Sequence, residues 1–207
     1  MLYEEKKFDL PDLEGLSKES VEAHLGLYAG YVKNFNDMTL LVGEYLKDAE
    51  KHAHAISELI RRRSFEFGGM RLHEYYFAQW EGTSTPLSVN GPLATALVEG
   101  FGSVETAVMH IKKVGMMRGP GWSILYYDPA AKPARPDGRS GGLFQIGFTG
   151  EQHQGHFVTL PIILALDVWE HAYLLDYGTT GKAKYIDACF ANYNWAVMEK
   201  RFEDALH

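Results

Sequence analysis

The sequence predicts an α+β fold, with an all-helical N-terminal half followed by a small antiparallel sheet. Before residue 81, three successive stretches carry apolar residues at helical spacing. Beyond residue 120, three short apolar runs are separated by loops rather than by helices, at 122–127, 143–146 and 162–166. Because strands joined by loops favour antiparallel pairing, we expect a three-stranded antiparallel sheet.

The predicted helices follow from caps and breaks along the chain. Ser17 is a suitable N-cap, and the helical pattern after it continues to Tyr45. A second helix is predicted at about 49–62, and Phe67-Gly68-Gly69 predicts a break before a third helix that begins near Met70.

The turn-rich segment 81–86 then closes the helical half. We therefore predict an N-terminal helical domain at 1–85 and a C-terminal α/β domain at 86–207. In the second domain, short helices are expected at 92–100 and 103–114, and a last helix from about Lys182 to the end, with Tyr193-Asn194-Trp195 inside it.

Composition excludes several classes of protein. Apolar residues make up 46% of the 207 residues, which excludes disorder, and no apolar run approaches the roughly 20 residues that a membrane span needs. A net charge of −7 argues against non-specific nucleic-acid binding. The N-terminus lacks the apolar core of a signal peptide, so a cytoplasmic location is expected. Cys189 is the single cysteine, and we interpret it as a buried apolar residue.

The residues with the clearest chemical pattern follow the third predicted strand. Asp167 lies where the strand ends, and His171 lies four residues further on. If the chain turns directly into a helical turn, both side chains face a common centre, where a metal ion would neutralise the carboxylate and bind the imidazole. A salt-bridged Asp–His pair is the simpler interpretation of these residues taken alone.

Two further histidines lie on apolar helix faces. His24 shares a face with Tyr28 and Tyr31, and His73 lies in the third predicted helix. A single histidine on such a face is usually a core residue. Taken with Asp167 and His171, however, the set offers three imidazoles and one carboxylate, which suit manganese or iron, without a thiolate that would favour zinc or an iron–sulfur cluster. Spacing alone does not show that the four meet.

The string Asp167-Val-Trp-Glu-His-Ala-Tyr173 resembles the signature of the iron/manganese superoxide dismutase family. Further similar motifs occur in the family's order over nearly the whole chain. They are Tyr31-Val32 with Asn34 and Asn36, His73 before an aromatic run, Phe101-Gly102-Ser103, Gly121-Trp122 and Asn194-Trp195. The family fold is an N-terminal helical hairpin domain followed by an α/β domain with a three-stranded antiparallel sheet, which agrees with the layout predicted above.

The resemblance implies one manganese or iron ion per subunit in a five-coordinate site completed by water or hydroxide. The implied ligands are His24, His73, Asp167 and His171. The implied activity is the disproportionation of superoxide to O2 and H2O2, by alternate reduction and oxidation of the metal.

The resemblance also implies roles for residues around the metal. Tyr31 matches the gateway tyrosine, and Gln152 matches the glutamine that hydrogen-bonds the metal-bound solvent. Trp122 and Trp169 are expected to wall the pocket. Because Gln152 lies in the C-terminal half, and Gly69 leaves room where iron-type members place their glutamine, manganese is slightly favoured over iron.

Glu170 matches the residue that reaches across a two-fold interface to the ligand histidine of the other subunit, here His171. A homodimer is therefore implied, and the sequence leaves open whether a tetramer forms.

Three departures from the family pattern put efficient turnover in question. His24 and Tyr31 are seven residues apart instead of eight, which fits an ordinary α-helix without a wider turn. In the family, a first-helix histidine pairs with a tyrosine of the other subunit. Here the histidine is replaced by Leu27 or Tyr28 and the tyrosine by Leu174, which makes an apolar contact possible. The arginine-bearing turn after Tyr177 is also absent, so electrostatic steering of superoxide should be weaker. Two alternatives remain: a non-catalytic metal-binding member with impaired turnover, and another mononuclear non-haem oxidase or oxygenase.

Overall fold

The structure is a computed structural model that describes residues 2–131 and 142–207. Long helices form the N-terminal part, and the three strands lie between shorter helices. The elements are α1 (Lys18–Tyr45), α2 (Ala53–Ala78), α3 (Pro92–Phe101), α4 (Val104–Gly115), β1 (Gly121–Asp128), β2 (Leu143–Gly150), β3 (Ile162–Asp167), α5 (Leu174–Tyr177), α6 (Lys182–Asn192) and α7 (Trp195–Ala205). The predicted α+β class, with a helical hairpin before the sheet, is confirmed.

Helix α1 begins and continues as its sequence predicts. The Ser17 side chain accepts a hydrogen bond from the Ser20 N–H, which satisfies one of the free amides of the first turn. The helix remains α-helical as far as Tyr45, with no wider turn. The seven-residue interval between His24 and Tyr31 therefore lies in regular helix, as predicted.

The predicted break between the second and third helices is wrong, because α2 runs unbroken through Gly68 and Gly69. A Cβ atom on Gly68 would lie 1.9 Å from the Gln152 carbonyl oxygen, and one on Gly69 would lie 2.5 Å from the Tyr31 ring. The two glycines therefore allow other parts of the chain to approach α2 closely. Tertiary packing here overrides the weak helix propensity of glycine.

The predicted long C-terminal helix is also wrong, because it is interrupted between α6 and α7. Tyr193 has extended backbone, and the Asn194 N–H donates to the Gln79 carbonyl oxygen at 2.8 Å. The Asn194 side chain accepts from the Thr85 hydroxyl and donates to the Glu81 carbonyl oxygen. These bonds to the segment after α2 replace the helical hydrogen bonds at the interruption.

The sheet has the order β2-β1-β3, with both pairs antiparallel as predicted. Trp122 of the central strand pairs with Thr149 on one side and Asp167 on the other. Strand β2 extends to Gly150, beyond the predicted end, so the loop that carries Gln152 begins beside the start of β1. Asp167 is the last residue of its strand.

One apolar core joins α2 to the sheet, and it includes Leu72, Phe77, Trp80, Ile124 and Leu164. The site described below lies between these same elements. The domain boundary at 85/86 stays a prediction. Among the helices of the described residues, none combines the length and the apolar character of a membrane span.

Candidate metal centre

The structure brings the four predicted ligand residues together. His24 projects from α1 and His73 from α2, and both are buried. Asp167 ends β3 with no exposed surface, and the chain then forms a 3-10 turn, Glu170–Ala172, that carries His171. One potential ligand atom from each of the four lies within 4.8 Å of all the others.

The carboxylate of Asp167 lies among the three imidazoles. Its Oδ2 atom is 3.2 Å from His24 Nε2, 3.3 Å from His171 Nε2 and 3.6 Å from His73 Nε2. Nitrogen and oxygen ligands bind a divalent ion such as zinc at about 2.0–2.2 Å, so two ligands at 90–120° around one ion lie roughly 3.0–3.7 Å apart. The three observed separations fall within this range, and the 3.2 Å contact between His24 and Asp167 is also that of a hydrogen bond.

Two imidazole nitrogens at this centre lack a hydrogen-bond partner among the described residues, namely His73 Nε2 and His171 Nε2. A buried polar atom without a partner is costly, and it often marks the position of an ion. His73 Nδ1 lies 2.6 Å from the Gly69 carbonyl oxygen, which can only accept. Nδ1 therefore carries the proton and leaves the Nε2 lone pair for a metal. The donor set fits manganese or iron.

Burial controls the protonation of the two helical histidines. It lowers the pKa of His73 to about 3 and also lowers the pKa of His24. Both imidazoles are therefore neutral at pH 7, the form that binds metal. Burial alone would raise the pKa of Asp167, but the neighbouring His171 and His24 outweigh it and keep that pKa below its usual value. The ionised carboxylate makes the site attractive to a cation.

Aromatic rings enclose the centre, and Trp122 and Trp169 are among them. The Trp122 ring is 5.1 Å from the His73 ring, and the Trp169 ring is stacked at 5.6 Å on His171. Phe77 lies 5.1 Å from the His24 ring on the helical side. The Trp169 backbone N–H also donates to Asp167 Oδ1 at 2.8 Å, which fixes the carboxylate. These contacts exclude bulk water from the ligand atoms.

Tyr31 and Gln152, the two residues with predicted catalytic roles, are hydrogen-bonded to each other beside the histidines. Gln152 is buried; its Nε2 donates to the Tyr31 hydroxyl at 2.9 Å, and its Oε1 accepts from Trp122 Nε1 at 2.8 Å. The Tyr31 ring lies 5.1 Å from the His73 ring. Burial raises the pKa of Tyr31 to about 12, so the phenol keeps its proton at pH 7.

The residues expected at a subunit interface lie on the surface. Glu170 is exposed, and Leu27 and Leu174 are 42% and 37% exposed. Tyr28, in contrast, is fully buried, and its hydroxyl accepts from the Lys6 N–H. Leu27 and Leu174 therefore remain available for an apolar contact with another molecule, whereas Tyr28 does not.

Three residues that the sequence does not mark as functional support β3 on the side away from β1. Gln79, Tyr185 and Arg201 each donate a hydrogen bond to a backbone carbonyl oxygen of this strand. Gln79 directly follows α2, Tyr185 lies in α6 and Arg201 lies in α7. No motif or spacing in the sequence connects them to residues 163–167.

Three histidines and one aspartate form a buried site for a single ion, between a long helical pair and the end of an antiparallel strand. This arrangement defines a class of protein that holds a redox metal. A family model described as iron/manganese superoxide dismutases, C-terminal domain, matches residues 89–201. The chain belongs to the iron/manganese superoxide dismutase family.

Individual relatives match nearly the whole chain. A protein of Saccharolobus solfataricus named as an iron superoxide dismutase is 31% identical, and the match covers 97% of this chain and 96% of the relative. One of Cupriavidus metallidurans with the same name is 32% identical over 100% and 99%. A mitochondrial manganese superoxide dismutase of Glossina morsitans morsitans is 29% identical over 92% and 82%. The relatives' names thus include both metals.

Proposed function

We propose that this protein is a superoxide dismutase, which converts two superoxide ions and two protons to O2 and H2O2. The observation that carries the proposal is the convergence of His24, His73, Asp167 and His171 around one buried point. These four residues would hold one manganese or iron ion. The ion would supply reversible one-electron exchange with superoxide, a chemistry that these side chains lack.

The protein's own residues would hold the metal ligands in place and manage protons. Gln152 is fixed from both ends, by Trp122 at its carbonyl oxygen and by Tyr31 at its amide nitrogen. Since the Tyr31 hydroxyl accepts this bond and stays protonated, its O–H proton is available to a basic product at the pocket mouth. Trp122 and Trp169 keep bulk water from the ligands, which strengthens the electrostatic interactions there.

For the metal, we propose manganese or iron, with manganese slightly favoured. The support for manganese is the position of Gln152, which reaches the site from the loop after β2, and the lack of a side chain at Gly69. The relatives named for iron support the other choice. Elemental analysis of the purified protein, with activity measured after reloading metal-free protein with each ion, separates the two.

We also propose a homodimer with Glu170 at the interface. The support is the exposed Glu170 beside a ligand histidine that is itself 22% exposed, together with the exposed apolar Leu27 and Leu174. Light scattering should give the mass of a dimer, or a multiple of it if tetramers form, and Glu170→Ala should weaken the association. A monomer at micromolar concentration contradicts this proposal.

The function is tested by superoxide consumption and metal content measured on one sample. We expect the unmodified protein to bind about one metal ion per chain and to consume superoxide, because the four donors are preorganised. His73→Ala should lose both properties. His54→Ala is the matched control, since it makes the same change at an exposed position of the same helix and should alter neither. Metal binding without superoxide consumption in the unmodified protein would instead identify a non-catalytic metal-binding member.

A further inference from the structure

We propose that Gln79 is a positioning residue for the metal site, because it clamps strand β3 to helix α2 and so sets the separation of Asp167 from His73. The inference rests on the metal site proposed above. Gln79 lies far from Asp167 along the chain, so the sequence alone does not suggest this role.

Strand β3 lies at the edge of the sheet, so one side of its backbone has no neighbouring strand among residues 2–131 and 142–207. Side chains satisfy that side instead. The carbonyl oxygens of the alternate residues Ile163, Ala165 and Asp167 accept hydrogen bonds from Arg201, Gln79 and Tyr185, in that order. An uncovered strand edge would leave these groups unpaired in the core.

Gln79 differs from the other two because it binds β3 at two points. Its Nε2 donates to the Ala165 carbonyl oxygen at 2.8 Å, and its Oε1 accepts from the Ala165 N–H at 2.8 Å. The side-chain amide thus pairs with Ala165 as the peptide group of a further strand would. Two opposed bonds define position along the strand as well as distance from it, whereas a single bond does not.

The clamp connects the two parts of the chain that carry ligands. Gln79 follows His73 by six residues at the end of α2, and Ala165 precedes Asp167 by two. Gln79 has no exposed surface, and Arg201 donates to its Oε1 at 3.1 Å, which holds the amide in one orientation. Without the clamp, β3 keeps its links to α2 through Arg201 and Tyr185 but loses the two-point bond at Ala165. The strand can then shift, and small displacements of a ligand weaken metal binding.

The chain contains a matched control for this arrangement. The Asn192 side chain pairs with both backbone groups of Glu14 in the same way, accepting from the N–H and donating to the carbonyl oxygen at 2.8 Å each. Asn192 is 8% exposed and joins α6 to the N-terminal segment, which carries none of the ligands. Replacing either amide with an apolar group removes one two-point clamp, but only Gln79→Met removes the one between the ligands.

The test compares Gln79→Met, Asn192→Leu and the unmodified protein, each loaded with manganese or iron. Metal release to a chelator, the electron paramagnetic resonance or visible spectrum of the bound ion, and urea unfolding of the metal-free protein are measured. We expect Gln79→Met to lower metal affinity about 10–100-fold, the range found when groups that orient ligands are removed, and therefore to release the metal faster and change the spectrum. Asn192→Leu should lower the urea midpoint but leave release and spectrum unchanged.

Equal release rates and unchanged spectra in the two variants would overturn the positioning role while leaving the proposed function intact. Failure of the unmodified protein to bind either metal would overturn both. If Gln79→Met does not fold, Gln79→Glu takes its place, because it keeps the acceptor for Ala165 and Arg201 while it loses the donor to Ala165 and adds a charge that faces Arg201. Faster release in Gln79→Glu than in Asn192→Leu supports the inference, and equal release overturns it.

Discussion

The two halves of the metal site are held in different ways. His24 and His73 project from helices of 28 and 26 residues, so the regular backbone hydrogen bonds of each helix determine where the side chain lies. Asp167 and His171 lie where the chain leaves an edge strand and enters a short 3-10 turn. Their positions depend on bonds from side chains distant in sequence, including Gln79 and Tyr185.

This difference predicts which substitutions should disturb the geometry of the site. On the helical side, a ligand is displaced only if the whole helix moves, and α2 is kept in place by close backbone approach at its glycines. At the strand end, we expect the loss of single hydrogen bonds to change ligand geometry, because side chains distant in sequence hold the backbone there. We therefore expect substitutions at the helical side to act through packing and those at the strand end through charge and hydrogen bonding.

The largest effect is expected at the strand end, from Asp167→Asn. The amide keeps the size of the carboxylate but removes the charge that faces the cation, and one charge pair at 4 Å with an effective dielectric constant of 20 is worth about 4 kcal/mol. Metal affinity should fall about a thousandfold. Competition with a chelator measures this, with Asp187→Asn on the exposed face of α6 as the control. A loss of metal affinity below tenfold would contradict the expectation that substitutions at the strand end act through charge.

A smaller effect is expected on the helical side, from Gly68→Ala. Its Cβ would overlap the Gln152 carbonyl oxygen, so the helix and the loop must separate, at a cost of about 1–3 kcal/mol in the free energy of unfolding. In Gly43→Ala of α1, the new Cβ would meet no described atom within 4 Å apart from the local helix backbone, and the change should stabilise the protein by about 0.5–1 kcal/mol. Urea unfolding of the metal-free proteins measures both. Stabilisation by both substitutions would show that α2 does not depend on this close approach.

The smallest effect on stability is expected from Tyr31→Phe. The change removes the hydroxyl that accepts from Gln152, with a net loss of about 0.5–1.5 kcal/mol in the free energy of unfolding. Since Tyr31 is not a ligand, metal content should stay the same while superoxide consumption slows. Parallel assays of metal content and turnover test whether the metal is retained while superoxide consumption slows. Loss of metal from this variant would mean that the helical half also depends on single hydrogen bonds.

The two wrong helix predictions have one physical cause. Gly68 and Gly69 predict a break because glycine has low helix propensity, yet α2 continues through them to meet Gln152 and Tyr31. Asn194 interrupts the last helix because its backbone and side chain bind residues about 110 positions earlier in the chain. Both outcomes depend on contacts between distant segments, which local propensity does not contain.

The sequence by itself determined most of the helices and strands and the candidate ligands. Helical spacing placed His24 and His73 on apolar faces, and a buried strand followed by Asp167 and His171 marked the other half, because side-chain periodicity is a local property of the backbone. Only the tertiary structure decided that the four donors meet and that Gln79 pairs with Ala165, 86 residues further along the chain. Such bonds form after α2 and β3 pack together, so their partners follow from the packing.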